Sequence, residues 1–279
     1  MSSISAALIA MFLIGTADTV NKRARQLAIP IGSYLIIQTV SYTLLILMLA
    51  LFHGGITWHS ADIAYGLMGA IFGFAGFTLM LHSLTHGSAS VNYAIFRSSF
   101  VFSAAAALLL LGENLSAAKI IGIILAFTAI VLFFRAPKRY IMKRRSLNIA
   151  LVAMIVAAFF QMIIKLSTQV FSSPLSYLLI MSIFFGIFTL GYNIVFGTFR
   201  FPKASFLLAP INGILMGLGT LFYVSALQQG ELSTAMPIIQ LSFIITAILS
   251  VFFLKEEIGM CKALGIIFAS IAIIVLGIL

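Results

Sequence analysis

The sequence predicts an all-α integral membrane fold, with ten transmembrane helices forming two inverted five-helix repeats around a central cavity. Three observations lead there. Apolar residues fill 62% of the 279 positions and charged residues only 8%, against about a quarter charged in soluble domains. Roughly ten apolar stretches reach the ~20 residues needed to cross a hydrocarbon core as a helix. Finally, the chain repeats itself. "LTHGSASVNYAIFRSSFVFSAAAALLLLGENLSAAKIIGIILAFTAI" from Leu84 lies without a gap over "LQQGELSTAMPIIQLSFIITAILSVFFLKEEIGMCKALGIIFASIAI" from Leu227, with about a third of positions identical.

The expected spans follow in order. The first, 4–22, lacks a basic stretch before it and a cleavage site followed by a soluble body, so it is expected to be retained. Next come 31–51, then 62–84 with Gly66, Gly69, Gly73 and Gly76, then 88–110 and 116–134. Residues 138–146 form a basic connecting loop between a first unit, 1–137, and a second, 147–279. The second unit supplies 148–171, 175–197, 205–227 with Gly213, Gly217 and Gly219, 231–253 with Pro237, and 258–277. Glycines at three- and four-residue spacing let helices approach closely. Pro237 removes a backbone hydrogen bond and is expected to kink its helix, whereas its repeat mate is Ala94. Pro237, Gly76 and Gly219 are the candidate gating or hinge positions.

Composition also excludes functions. One cysteine, Cys261, forms no internal disulfide and no metal site by itself. The net charge of +10 sits mainly in short connectors, where it reads as a topology signal rather than a nucleic-acid surface. Neither glycine run ends in Gly-Lys-Ser/Thr or follows a strand, so ATP-driven transport has no support. His82 and His86 share a helix face, but two histidines without a further ligand make a weak metal site. No cofactor is expected. The expected partners are a small-molecule solute, the lipid bilayer, and a proton or counter-solute, in a monomer or homodimer.

The matched positions include Gly87/Gly230, Ser90/Ser233, Ser99/Ser242, Phe100/Phe243, Glu113/Glu256, Lys119/Lys262 and Gly122/Gly265. The same register sets Lys22 on Lys165, Asp18 on Gln161 and Gly76 on Gly219, so the duplication covers essentially the whole chain. An odd number of spans repeated in tandem re-enters the membrane upside down. Such inverted repeats are characteristic of secondary transporters, with sites near the midplane where the repeats meet.

With "LGE" and "KEE" closing the fourth span of each half, and a fifth span bearing Lys and Gly, the chain resembles the drug/metabolite transporter superfamily, specifically its EamA-type members. The resemblance implies a ten-helix bundle around a central cavity that moves small metabolites, often outward, without nucleotide hydrolysis. The superfamily's small multidrug-resistance members carry a Glu eight residues before a Lys in their first helix. The matching position here is Ile14, and Asp18, one turn further along the same face, is the candidate in its place.

Connectors after the odd-numbered spans hold about 13 Lys and Arg, against two, Lys119 and Lys165, on the other face. Positive connectors stay cytoplasmic, which places both termini outside, whereas the resemblance implies termini inside. Ionisable groups within spans are functional-site hypotheses by default, and Asp18, Arg97 and Lys165 are the clear cases. At 1.5 Å rise per residue, Asp18 lies roughly 8 Å and Arg97 roughly 14 Å from the face of the joining loop. Asp18 can pair with Lys22 along one helix, form a packing pair with Arg97, or line the cavity with it and exchange partners during transport. The repeat turns Asp18 into Gln161 and Arg97 into Gln240, which points to a cavity that handles charge on one side. Tyr93, one turn before Arg97, is placed to close over a solute, and Gln38 and Asn212 are further lining candidates, as are Asn21, Asn92 and Asn193. The expected solute-binding set is therefore Asp18, Arg97, Tyr93, Gln240, Gln161, Gln38 and Asn212. Glu113 and Glu256 are expected to serve helix ends at the start of the spans that follow them. The alternatives are an intramembrane enzyme, for which no convergent nucleophile and base is present in the sequence, and a non-transporting structural or sensory membrane protein, which leaves the charges within the spans without a purpose. The function expected is a secondary transporter, an exporter of amino-acid-like, nucleobase-like or amphipathic solutes, in the cell membrane.

Overall fold

The computed structural model describes residues 2–53, 55–84, 89–134, 144–196, 199–254 and 259–277. Twelve helices occupy them: α1 (Ser3–Gln26), α2 (Ile31–Phe52), α3 (Ser60–Leu84), α4 (Ala89–Arg97), α5 (Ser99–Leu110), α6 (Ala117–Phe133), α7 (Arg144–Ser167), α8 (Pro174–Phe196), α9 (Lys203–Gln229), α10 (Leu232–Gln240), α11 (Phe243–Leu254) and α12 (Met260–Gly277). Among the described residues nine spans are long and apolar enough to cross a membrane, and the shorter apolar α6 stands in the place of the fifth. The chain is an all-helical, multi-pass membrane protein.

Two sequence-based expectations need correction. The fourth and ninth spans are each broken in two, α4/α5 at Ser98 and α10/α11 at Leu241–Ser242. These are repeat-equivalent positions, and the first break occurs without any proline. Pro237 sits inside α10, four residues before the break. The cause is local tightening to three-residue hydrogen bonds, Val101 N–H to Ser98 O at 3.0 Å and Ile244 N–H to Leu241 O at 3.0 Å. Some span limits also differ: α1 runs on to Gln26, carrying Lys22, Arg23 and Arg25 on its last turns, and α7 starts at Arg144 and ends at Ser167. Long basic side chains reach water from a helix end, so charge alone does not terminate the helix.

Small residues face inward and large apolar ones face lipid. On α2, Val40, Leu44, Met48 and Leu51 form an exposed stripe at helical spacing, and on α6 Ile120, Ile124, Phe127 and Val131 point outward while Gly122, Ala126 and Ala129 are buried. Without a hydrophobic drive between helices in lipid, close packing supplies the association energy. A Cβ on Gly213 would collide with the carbonyl oxygen of Gln38, and one on Gly265 would lie 2.9 Å from that of Ala129.

The contacts follow the repeat. Ser3 Oγ donates to Ala226 O at 2.8 Å, joining the start of α1 to the end of α9, and its mate Ser146 Oγ donates to Ser83 O at 3.0 Å, joining the start of α7 to the end of α3. Gly219 of α9 meets Ile14 of α1, and Gly76 of α3 meets Val156 of α7. The repeat mates α6 and α12 pack on each other, with Gly122 against Leu276 and Gly265 against Phe133. α1 and α3 end on one face, where α7 and α9 begin. Arg23, Arg25, Arg144, Arg145, Arg200 and Lys203 mark it as the basic face.

Candidate functional site

The two breaks create the site. α4 runs inward from the basic face and α10 from the opposite face, and their C-terminal ends meet in mid-bundle. Each end leaves unpaired carbonyls and a partial negative charge. The last residue of α4 is Arg97, 8% exposed, and it supplies the cation for both ends. Its Nη1 donates to the main-chain oxygen of Gln240 at 3.1 Å, to Gln240 Oε1 at 3.4 Å and to Ser242 Oγ at 2.8 Å. Its Nη2 forms an ion pair with Asp18 Oδ2 of α1. One guanidinium thus joins α1, α4 and the α10/α11 break, across the two repeats.

This geometry explains the asymmetry of the repeat. Arg97 and Gln240 are mates that touch. A second arginine at 3.4 Å would bring like charges together, so one mate must be neutral, and the difference has an architectural cause as well as any functional one. Asp18 pairs with Arg97 rather than with Lys22, whose ammonium reaches Ser250 Oγ at 3.4 Å. Asp18 is the accessible member, with 26% of its side chain exposed against 10% for Arg97.

Tyr93, half-buried, stacks on Phe134 with ring centroids 6.3 Å apart. It lies within electrostatic reach of Asp18, Arg25 and Arg97, and Tyr34 lies within reach of Asp18 and Arg25. Tyr34 and Tyr93 therefore both lie within the electrostatic reach of Asp18 and of the exposed Arg25. Gln38 lies one turn after Tyr34 on α2. Its Oε1 is buried without a partner among the described residues, as are Tyr34 Oη and Asn212 Oδ1, while Asn212 Nδ2 donates to Ala17 O at 2.7 Å. Of these three residues, Asn212 is bonded directly to Asp18's stretch of α1.

Gln161 stands apart. It is 3% exposed, donates through Nε2 to Ser99 Oγ at 2.8 Å and accepts from Ser103 Oγ at 2.5 Å, tying α7 to α5. Asn92 donates to Ser83 O at 2.8 Å and Asn193 to Gly32 O at 3.1 Å, both helix-to-helix or local ties. His82 lies beside the rings of Tyr192 and Phe196, and His86 lies outside the described residues. Among the described residues no group of three metal-ligating side chains assembles.

Glu113 does serve a helix end, but not of the span that follows it. Its carboxylate accepts Leu232 N–H at 2.7 Å and Ser233 N–H at 2.9 Å, capping α10 in the other repeat. Glu256 lies outside the described residues. The sequence reading missed Glu231, which pairs with Lys119, and Asp62, fully buried and accepting Ser172 N–H at 3.1 Å. It also missed a "Ser-Tyr-Leu" triplet at Ser33 and Ser176, which sets the buried hydroxyls of Tyr34 and Tyr177 at equivalent places and is visible once the repeat register is known.

No curated protein matches the chain. Among solved structures, one titled only as the crystal structure of a protein aligns with a TM-score of 0.82 over 98% of this chain and 95% of its own, at 13% identity, a likeness of fold. The model of the EamA-like transporter family matches residues 1–135 and again 145–278. Two consecutive copies of that domain account for nearly every residue, and the chain belongs to the EamA-like transporter family of the drug/metabolite transporter superfamily.

Proposed function

We propose that this transporter exports a small amino-acid-like, nucleobase-like or amphipathic solute through alternating exposure of a site between its two repeats, in the cell membrane. The carrying observation is the Asp18–Arg97 pair at the junction of the broken helices, where the ends of both repeats share one guanidinium. Sites of secondary transporters form where interrupted helices meet near the midplane. A solute that engages the accessible Asp18 or the carbonyl of Gln240 competes for the bonds that join the halves, so binding and movement are coupled by construction. Tyr93, Gln38 and Asn212 flank the solute, Gln161 holds α5 beside it, and Pro237, Gly76 and Gly219 lie in the elements that shift. A proton or counter-solute drives the cycle. The chain carries its solute without transforming it.

Proteoliposome counterflow tests this. Saturable exchange of a labelled solute is expected, and Asp18→Asn with Arg97→Gln together should alter flux or selectivity. Untouched flux and selectivity in that double variant would remove the site assignment. The charge distribution supports a cytoplasmic basic face, and on that reading the native thiol of Cys261, half-buried near the start of α12, should react with an impermeant maleimide from the cytoplasmic side. Reaction from the outside only would reverse the orientation.

A further inference from the structure

α10 is nine residues long, about 13 Å at 1.5 Å per residue. Its inner end is held by Arg97, and its outer end is bound into a polar network on the face opposite the basic one. Glu113 caps its first turn from the other repeat. Glu231, immediately before it, forms an ion pair with Lys119 of α6 and accepts Asn114 N–H at 3.3 Å, while Lys119 also donates to Asn114 O. Lys165 of α7 donates to Leu227 O at 2.7 Å and Gly230 O at 2.5 Å, pinning the turn between α9 and α10. Residues Leu232 to Ile239 are all buried, whereas Tyr93 to Phe96 in the equivalent helix α4 are half-buried. The bundle is therefore sealed around α10 and looser around α4.

The repeat shows which part of this network is unique. Glu113 and Lys119 have mates in Glu256 and Lys262, but the mate of Glu231 is Ser88. We propose that Lys119 and Glu231 form the latch of a gate on the face opposite the basic one, without a sequence counterpart on the basic face. At rest the latch holds the protein open toward the basic face, and α10 swings when it parts. This rests on the transporter reading, because a gate has meaning only for a cavity that alternates.

Lys119 is 4% exposed on its side chain and Glu231 35%. Glu231→Gln would strand a buried ammonium and endanger folding, so the cleaner variant is Lys119→Met, which removes the buried charge and keeps the stem. The assay uses the full chain in oriented vesicles, in a Cys261→Ser background. Single reporters are placed at Ser233, buried in the first turn of α10, and at Ala94, half-buried in α4. An impermeant maleimide is applied to each side. With the latch intact, position 94 reacts and position 233 is protected. Lys119→Met should speed labelling at 233 by roughly 5- to 30-fold and slow it at 94, and the swap of Lys119→Glu with Glu231→Lys should restore protection. Unchanged protection of 233 in Lys119→Met overturns the latch, and so does a parallel rise at both reporters, which signals general loosening. Labelling that shifts as expected without measurable flux of the solutes tested upholds the latch and removes the solute class proposed above. Saturable flux with unmoved labelling does the reverse.

Discussion

α4 and α10 descend from one sequence, occupy equivalent places and break at equivalent residues, yet they sit in different surroundings. α10 is buried along its length and tied at both ends, while α4 has half-buried residues along its middle and carries the cation on which both depend. The difference teaches that inverted repeats need not be mechanically equal. Where two mates meet on the pseudo-axis they share one set of interactions, so a single arginine serves both halves. Away from that junction, substitutions are free to diverge, as at the repeat-matched positions Glu231 and Ser88 in the sequence.

The largest break in this comparison comes from Arg97→Met. It strands Asp18 and leaves the carbonyl of Gln240 without its donor, so a loss of about 3 kcal/mol is expected, read as a fall in thermal midpoint in detergent. Adding Asp18→Asn should recover much of that stability, and counterflow should stay depressed. Next is Gly265→Leu, whose first side-chain atom would already meet Ala129 O at 2.9 Å and Phe133 Cβ at 2.9 Å. A loss of about 1–3 kcal/mol is expected from overpacking, measured in the same way. Gln161→Leu removes two interhelical bonds to α5 and should cost about 1 kcal/mol, with the larger effect on stability than on the half-saturating solute concentration. The smallest effect is expected for Pro237→Ala. Because α4 and α5 separate with Ala94 at the matching place, the break after α10 should persist, with stability changed by less than about 1 kcal/mol. Amide exchange near Leu241 that slowed to the level of an unbroken helix would show instead that the proline makes the break.

Much of this was legible in the sequence because the governing quantities are sums or registers. Span positions follow from apolar length, and the upside-down arrangement follows from an odd number of spans copied in tandem. The meeting of Asp18 with Arg97 was one of three readings open in the sequence, since 1.5 Å per residue leaves an axial gap of roughly 6 Å that an arginine side chain can bridge. The helix breaks were not, because hydropathy averages over a window and is blind to a change from four-residue to three-residue hydrogen bonds at one position. Glu113 was rightly assigned to a helix end and wrongly to the nearer one, since the choice depends on which elements the fold brings together. Glu231 escaped notice as a charge at a span boundary, where solvated side chains are the ordinary expectation. Its partner is a buried lysine more than a hundred positions away in sequence.

The ridge between α6 and α12 carries a consequence for how the molecule holds itself together. Residues 1–134 alone would turn the Gly122 groove toward lipid, and residues from 144 onward would turn the Gly265 groove outward, each lacking the other's flank. The two fragments are thus complementary parts of a single interlocking joint. The covalent tether between them acts chiefly by keeping their effective concentration high, and splitting the chain there should leave the means of reassembly intact.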